Sequence, residues 1–179
     1  MNVKKIIIFH GTDGNPQACW YPWLRNKLEA RGYQVSVPYF PEMNKEPIDT
    51  FIKKVLTAHT IDGETVLIGH SGGAALVLSV LEHIQVQVPQ AMLVAGYSTR
   101  PNESEEPVLQ PTYDWRKMRN NVRDIYIINS VNDPYGCDEK QGRVLFDNLG
   151  GTQIVCDEGH FGDFDQHYPT FDLLEKLIN

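Results

Sequence analysis

The sequence has 179 residues, of which 41% are hydrophobic and 22% are charged. This length and composition predict one globular domain spanning residues 1–179, large enough to bury a core without a disulfide or a structural metal. The formal net charge of −7 argues against nucleic acid or an anionic membrane as a partner, and no apolar run approaches the length of a membrane span. The three cysteines, Cys19, Cys137 and Cys156, form no C-x-x-C pair. We therefore expect a cytoplasmic protein that is a monomer or a weak homodimer.

Strand and helix patterns alternate along the whole chain. This alternation predicts an α/β fold, a three-layer α/β/α sandwich with a mostly parallel six-stranded sheet. The last two strands are expected to be short, and the segment 97–112, rich in proline and glutamate, is expected to be an exposed loop at the rim of a site. The predicted strands are 3–9, 33–37, 66–68, 91–95, 125–128 and 153–156; the predicted helices are 19–31, 48–58, 73–83, 114–119, 138–149 and 169–178.

A glycine-rich loop follows the first predicted strand, from His10 to Pro16. In α/β folds a loop at the carboxyl end of a buried strand commonly forms part of a site. This loop lacks both the G-x-G-x-x-G pattern and the lysine of a P-loop, which argues against a nucleotide. His10 with Asp13, or Asp157 with His160, could form a local pair, but no third ligand stands at a useful spacing. The sequence therefore predicts no metal and no cofactor.

The most informative stretch surrounds Ser71. The apolar run 66–68 predicts a buried strand, Gly69, Gly72 and Gly73 then surround the serine, and an apolar helical pattern follows. A G-x-S-x-G pattern between a strand and a helix is typical of a nucleophile elbow, a sharp turn that holds a serine in a strained backbone conformation. A side chain at Gly69 or Gly73 would collide across such a turn. We therefore predict that Ser71 is a nucleophile.

A serine hydroxyl needs a base, usually a histidine that a carboxylate orients. After a nucleophile elbow the partners follow in the order acid, then histidine, each in a loop after a later strand. Asp133 follows the fifth predicted strand and His160 follows the sixth. We therefore predict Ser71, Asp133 and His160 as the catalytic residues. His167 remains an alternative base, because it lies a few residues beyond His160.

The same reasoning predicts an oxyanion hole, a pair of N–H donors that binds the charged oxygen of a tetrahedral intermediate. One donor is the Gly72 N–H at the start of a helix, and the other is the Thr12 N–H in the glycine-rich loop. The cysteines are interpreted as small buried apolar residues, although Cys19 could be reactive. Four residues that follow or face a strand end are predicted to bind substrate: His10, Tyr97, Trp115 and Phe161.

These residues lead to three hypotheses about function. The first is a serine hydrolase that forms an acyl-enzyme with a small ester, thioester or amide. The second is a non-catalytic binding or regulatory module on the same fold, and the third is transfer of the acyl group to an acceptor other than water. Hydrolysis of a simple ester that depends on Ser71 would separate the first hypothesis from the second, and product analysis would separate it from the third.

Several segments together carry a resemblance to a known family: the glycine-rich loop, 20–24 (WYPWL), 68–74 (IGHSGGA), 113–115 (YDW), 132–135 (NDPY) and 159–161 (GHF). The chain resembles, over nearly its whole length, the small serine hydrolases related to human retinoblastoma-binding protein nine, a compact branch of the α/β-hydrolase superfamily. The resemblance implies a six-stranded sheet without a large lid, metal-independent hydrolysis of small esters or amides, and a triad at Ser71, Asp133 and His160. The first loop, beginning at His10, departs from that family and is closer to general esterases. The resemblance names no natural substrate.

Overall fold

The computed structural model describes residues 4–179, and within them six strands alternate with six helices. The strands are β1 (Lys5–Phe9), β2 (Gln34–Ser36), β3 (Thr65–His70), β4 (Val88–Val94), β5 (Val122–Ser130) and β6 (Thr152–Cys156). The helices are α1 (Tyr21–Ala30), α2 (Ile48–Ala58), α3 (Gly72–His83), α4 (Trp115–Asn120), α5 (Glu139–Leu149) and α6 (Asp172–Leu177). Each predicted strand and helix has a counterpart; Val3, within the first predicted strand, lies outside the described residues.

All six strands are parallel and form one sheet in the order β2-β1-β3-β4-β5-β6. Every residue of β3 and the last five residues of β4 are buried, which a sheet achieves only when both of its faces are covered. Helix α1 packs with α6, whereas α2, α3, α4 and α5 pack in succession against one another. The predicted three-layer α/β/α sandwich is confirmed.

The structure corrects two expectations about the second half of the chain. The sequence predicts a short fifth strand at 125–128, but β5 has nine residues. Its backbone pairs with β4 and β6 through polar positions such as Asp124 and Asn129, which a search for apolar runs overlooks. The segment 97–112 has no helix or strand, but it is not simply exposed, because Tyr97 and Val108 are buried in the core.

The last helix is shorter than predicted. It begins at Asp172 rather than at Pro169, because residues 168–171 form an irregular segment in which Phe171 is buried. There Tyr168 and Phe171 lie against Phe161, with ring centroids 6.1 and 5.2 Å from it. No helix within residues 4–179 has the length and hydropathy that crossing a membrane requires.

The parallel arrangement determines where a site can form. The carboxyl ends of parallel strands meet at one edge of the sheet, and ligands bind in the crevices there. Strands β1, β3, β5 and β6 end at Phe9, His70, Ser130 and Cys156. The loops that follow these four strands carry Thr12, Ser71, Asp133 and His160, so the predicted site residues share this edge.

Candidate active site

A cavity of about 490 Å³ opens at the carboxyl edge of the sheet. Ser71 and His160 both line it, together with Gly11 and Thr12 from the loop after β1. Its volume falls within the range of small-molecule sites. The four loops at this edge therefore enclose a space in which a small molecule can reach the serine hydroxyl.

Ser71 stands at the turn between β3 and α3 with φ +56° and ψ −121°, a conformation that residues with side chains rarely adopt. Two glycines make the turn possible. A Cβ at Gly69 would overlap the carbonyl oxygen of Gly73, and a Cβ at Gly73 would overlap the carbonyl oxygen of Phe9. The predicted strain and both predicted collisions are confirmed. The elbow exists because side chains are absent where two backbone segments cross.

Asp133 and His160 form a buried pair. His160 Nδ1 lies 2.7 Å from Asp133 Oδ2, and the two side chains are 7% and 0% exposed. Because a carboxylate only accepts hydrogen bonds, Nδ1 carries the proton, and Nε2 of a neutral ring is left as an acceptor. Asp133 Oδ1 accepts the N–H groups of Tyr135 at 2.9 Å and Cys137 at 3.4 Å. The Asp133 carboxylate therefore sets the tautomer of His160 and also holds the loop 133–137 in place.

Cys137 is a neighbour of these residues that the sequence analysis interpreted only as a buried apolar residue. It lines the same cavity as Ser71 and His160. Burial, followed by the charge of Asp133, raises the pKa of the thiol. Cys137 is therefore a neutral thiol beside the serine. Its position four residues after Asp133 was the available signal in the sequence.

The Ser71 hydroxyl makes no hydrogen bond with the His160 ring within the described part of the chain. In enzymes without a bound substrate, such bonds are often long and shorten only in the complex. Both side chains line the same cavity, so rotation of the serine about its Cα–Cβ bond changes the direction of the hydroxyl without moving the backbone.

The two predicted oxyanion donors adjoin one another. A Cβ at Gly72 would lie 3.4 Å from the Thr12 backbone nitrogen, so the elbow and the loop after β1 are in contact. Neither the Thr12 N–H nor the Gly72 N–H donates a hydrogen bond to residues 4–179. The Thr12 hydroxyl accepts the Asn44 side-chain amide at 3.1 Å, which holds the loop in place. Two unpaired N–H donors thus lie next to Ser71.

His70, to which the sequence analysis gave no role, connects three parts of the site. Its Nε2 donates to the His160 carbonyl oxygen at 2.7 Å, and its Nδ1 accepts the Tyr21 hydroxyl at 2.7 Å. The Tyr21 oxygen in turn accepts the Gly11 N–H at 3.3 Å. Burial lowers the pKa of His70 to about 3, so the ring stays neutral and its donor and acceptor are fixed. One buried ring therefore joins the elbow, the loop of the base and the loop after β1.

Gln166 holds the loop that carries His160. Its Oε1 accepts the N–H groups of His160 at 2.9 Å and Gly162 at 3.2 Å, and its Nε2 donates to the Glu158 carbonyl at 2.8 Å. The Glu158 N–H is also bound by the Ser130 hydroxyl at 2.7 Å, which joins this loop to the end of β5. A lone glutamine belongs to no recognisable sequence pattern, so only the fold reveals its role.

The predicted pocket residues His10 and Phe161 do not line the cavity. The His10 ring is buried, with Nδ1 donating to the Gly11 carbonyl at 2.7 Å and Nε2 accepting the Phe40 N–H at 3.0 Å. Phe161 stacks on Phe171 within the core. Neither ring faces the cavity, because a position at a strand end does not reveal whether a side chain turns toward the cavity or toward the core.

Tyr97 and Trp115, which are also predicted to bind substrate, do not line the cavity either. Tyr97 is buried behind the cavity wall and donates its hydroxyl to Glu106, which does line the cavity. Trp115 begins α4 and stacks on Tyr113, with ring centroids 4.8 Å apart, outside the cavity. The alternative base His167 lies in a separate surface depression beside Tyr168.

The wall of the cavity is acidic. Glu106 Oε2 accepts the Tyr97 hydroxyl at 2.5 Å and the Asn44 amide at 2.6 Å, so this carboxylate is held firmly. Lys45 is the only lysine or arginine among the lining residues, and it pairs with Asp13 at 2.7 Å. The remaining carboxylates of the wall are those of Glu105 and Asp163. The cavity therefore carries a net negative charge.

The sequence predicts no metal, and the fold brings three potential metal ligands together. Asp133, Cys137 and His160 each offer one ligand atom, and these atoms lie within 4.8 Å of one another. Sequence spacing did not reveal the cluster, because His160 comes from the loop of a different strand.

A parallel sheet with a strained serine after β3 and an acid–histidine pair in the loops after β5 and β6 defines the α/β-hydrolase class. A profile of the serine hydrolase family matches residues 6–177, and the chain belongs to that family. It is 27% identical to the rat serine hydrolase RBBP9 over 170 residues, which are 91% of this chain and 90% of the relative. It is also 27% identical to YdeN of Bacillus subtilis over 168 residues, 87% of this chain and 88% of that protein.

Solved structures agree on the fold. The crystal structure of the ydeN gene product of B. subtilis matches with a TM-score of 0.89 at 22% identity, covering 98% of this chain and 97% of that one. The methylesterase MES16 of Arabidopsis matches with a TM-score of 0.67 at 14% identity, covering 98% and 97% of the two chains. The predicted family and fold are confirmed, and the chain is an enzyme of the hydrolase class.

Proposed function

We propose that the chain cleaves small esters, thioesters or amides through an acyl-enzyme on Ser71. His160 is the general base, Asp133 orients its ring, and the Thr12 and Gly72 N–H groups form the oxyanion hole. The observation that carries this proposal is the 2.7 Å hydrogen bond between Asp133 and His160 Nδ1, at the cavity that also contains the strained serine. It leaves Nε2 of the neutral ring as the acceptor that a serine nucleophile needs.

The proposed reaction has two halves. The Ser71 oxygen attacks the carbonyl carbon while its proton passes to His160 Nε2, and the two N–H donors bind the oxyanion. The imidazolium then gives that proton to the leaving group, and the acyl-enzyme remains. Water enters, loses a proton to Nε2 and releases the acid, which restores the serine. Asp133 stabilises the imidazolium in both halves.

The charge of the cavity bears on the substrate. Because its wall carries Glu105, Glu106 and Asp163, we propose that neutral or cationic acyl compounds are preferred over anionic ones. A neutral ester is expected to have a higher kcat/KM than an ester of the same size that bears a carboxylate. In Glu106→Gln the kcat/KM values of the two esters should lie closer together. Equal kcat/KM values for the two esters would contradict this preference.

The decisive test is labelling with a fluorophosphonate followed by intact-mass analysis. Native protein should gain one adduct, and Ser71→Ala should gain none and lose esterase turnover by roughly 10⁶-fold. Ser104→Ala is the matched control, because Ser104 lines the same cavity and is exposed; it should label like the native protein. A folded native protein that takes no label would contradict the proposal and favour the non-catalytic module. Release of the acyl group onto an added alcohol in preference to water would favour acyl transfer.

A further inference from the structure

Three buried side chains of different chemistry meet beside the cavity, and two of them, Cys137 and His160, line it. A carboxylate oxygen of Asp133, the Cys137 sulfur and a ring nitrogen of His160 lie within 4.8 Å of one another. The side chain of Asp133 is fully buried, that of His160 is 7% exposed, and Cys137 is 2% exposed. The mechanism proposed above uses Asp133 and His160 but gives no task to the thiol.

Together these groups are the ligand types that Zn²⁺ prefers. Zinc in proteins is bound by thiolate, imidazole and carboxylate in a tetrahedral arrangement, and three protein ligands leave one position open. A soft thiolate disfavours Mg²⁺ and Ca²⁺, which require oxygen ligands. One thiolate and one carboxylate also balance the double charge of the ion, as burial requires.

We propose that Asp133, Cys137 and His160 form a Zn²⁺ site that reversibly switches the enzyme off. Metal binding as such depends only on the three side chains. The inhibitory effect rests on the hydrolase function proposed above, because it requires His160 to act as the base.

The backbone around the three ligands is well placed to hold a metal. Asp133 and Cys137 lie in one short loop, which is held where the Cys137 carbonyl accepts the Asn129 amide at 2.8 Å. In a tetrahedral zinc site, ligand atoms are about 3.3–3.8 Å apart for bonds of about 2.0–2.3 Å. The three ligand atoms lie within 4.8 Å of one another. Where His160 binds through Nδ1, the metal replaces its 2.7 Å hydrogen bond to Asp133 Oδ2. The acidic wall of the cavity, with Glu105, Glu106 and Asp163, attracts a cation to the entrance.

A bound metal ion prevents His160 from acting as a base, because it takes the lone pair that would accept the proton. A neutral imidazole has one unprotonated nitrogen, and the metal occupies it, whichever ring nitrogen binds. His160 then has no lone pair left to accept the Ser71 proton. Binding also converts the Cys137 thiol to a thiolate, whose proton goes to solvent, and removal of the metal by a chelator reverses both changes.

The first experiment measures binding without any enzyme assay. Metal-free native protein is titrated with Co²⁺, whose bond to a thiolate produces a charge-transfer absorption in the near ultraviolet. We expect this absorption to saturate at one equivalent and to disappear when one equivalent of Zn²⁺ is added. Absence of the absorption would overturn the proposal, even if ester hydrolysis is normal.

Two variants test whether Cys137 supplies the sulfur ligand. Cys137→Ser should lose the cobalt absorption and bind Zn²⁺ at least about 10-fold more weakly, since loss of even a supporting partner of a ligand costs that much. The double variant Cys19→Ser/Cys156→Ser leaves Cys137 as the only thiol and should retain the absorption. This second variant keeps the test decisive if Cys137→Ser does not fold. An absorption that is lost in the double variant would overturn the assignment.

The last experiment measures hydrolysis of a neutral ester. Zn²⁺ should inhibit the native protein, a chelator should restore the rate, and Cys137→Ser should require at least about 10-fold more Zn²⁺ for the same inhibition. Activation by Zn²⁺, or equal sensitivity of the two proteins, would overturn the inhibitory role. A protein that binds Co²⁺ but hydrolyses no ester would instead contradict the hydrolase proposal and leave the metal site standing.

Discussion

The proposed nucleophile and the proposed base are held in place by different forces, although they line one cavity. Ser71 is fixed by the absence of side chains at Gly69 and Gly73, where any Cβ would overlap a backbone carbonyl. His160 is fixed by hydrogen bonds, from Asp133 at its ring, His70 at its carbonyl oxygen and Gln166 at its N–H. The elbow is therefore held by steric exclusion, and the loop that carries His160 is held by hydrogen bonds. Mutations should affect folding in the first region, and proton transfer and pH dependence in the second.

The largest expected effect tests the polar side of this comparison. In Asp133→Asn the amide oxygen can accept the Tyr135 and Cys137 N–H groups, which leaves the NH₂ group facing His160 Nδ1. The ring must then place its proton on Nε2, the wrong nitrogen for a base. We expect kcat to fall by about 10⁴-fold with little loss of stability. Steady-state kinetics and thermal unfolding measure the two quantities, and an active variant would show that Asp133 does not set the tautomer.

The steric side is tested by Gly73→Ala. Its Cβ would overlap the Phe9 carbonyl oxygen, which is backbone and cannot rotate away. We expect the free energy of unfolding to fall by about 3 kcal/mol or more. Gly63→Ala is the matched control, because its Cβ would meet only the Gln87 carbonyl oxygen at 3.9 Å, and its stability should change by less than about 1 kcal/mol. Similar urea midpoints for the two variants would show that the elbow is not sterically fixed.

The polar region should also make stability depend on pH. The folded protein keeps His70 neutral down to about pH 3, whereas the unfolded chain protonates it below its ordinary pKa of about 6.5. The unfolded state therefore binds more protons in this window, and stability falls as the pH falls. This ring alone accounts for a loss of about 2 kcal/mol between pH 7 and pH 5.

Urea unfolding of native protein and His70→Gln at the two pH values measures this contribution. The variant should be less stable at pH 7, because a buried hydrogen bond is disturbed, but it should show a smaller loss between pH 7 and pH 5. Burial also lowers the pKa values of His10 and His59, so some dependence should remain. Parallel pH profiles for the two proteins would contradict the role given to His70.

The smallest effect is expected at Trp115, which stacks on Tyr113 away from the cavity. Trp115→Ala should change kcat/KM by less than about 2-fold, because its ring lies outside the cavity, although the lost packing should lower stability. Tyr135→Ala is the informative counterpart, because Tyr135 lines the cavity and packs on the His160 ring with centroids 4.7 Å apart. We expect it to lower kcat/KM by about 10-fold, since misplaced catalytic groups are costly. A larger effect at Trp115 would restore it as a substrate-binding residue.

The elbow around Ser71 and the order of Asp133 and His160 could both be predicted from the sequence. The elbow is local: a strand, three glycines, a serine and a helix follow one another within 19 residues, and steric exclusion leaves them only one arrangement. The order of Asp133 and His160 after later strands was equally accessible, because parallel strands bring their carboxyl ends together whatever the loops contain. The alternation of strands and helices that produces this edge is visible in the spacing of apolar residues. That spacing predicted the correct fold.

Only the tertiary structure decided what surrounds these groups. His70, Tyr21 and Gly11 form one chain of hydrogen bonds with the His160 carbonyl, although up to 149 positions separate its members in the sequence. The placement of Cys137 against His160 depends on two loops that meet only after the sheet has formed. The same long-range packing turned His10 and Phe161 away from the cavity and Glu106 into its wall. The sequence determined where the chemistry lies, because backbone sterics and strand order are local or periodic; the neighbours of that chemistry depend on contacts that no short pattern encodes.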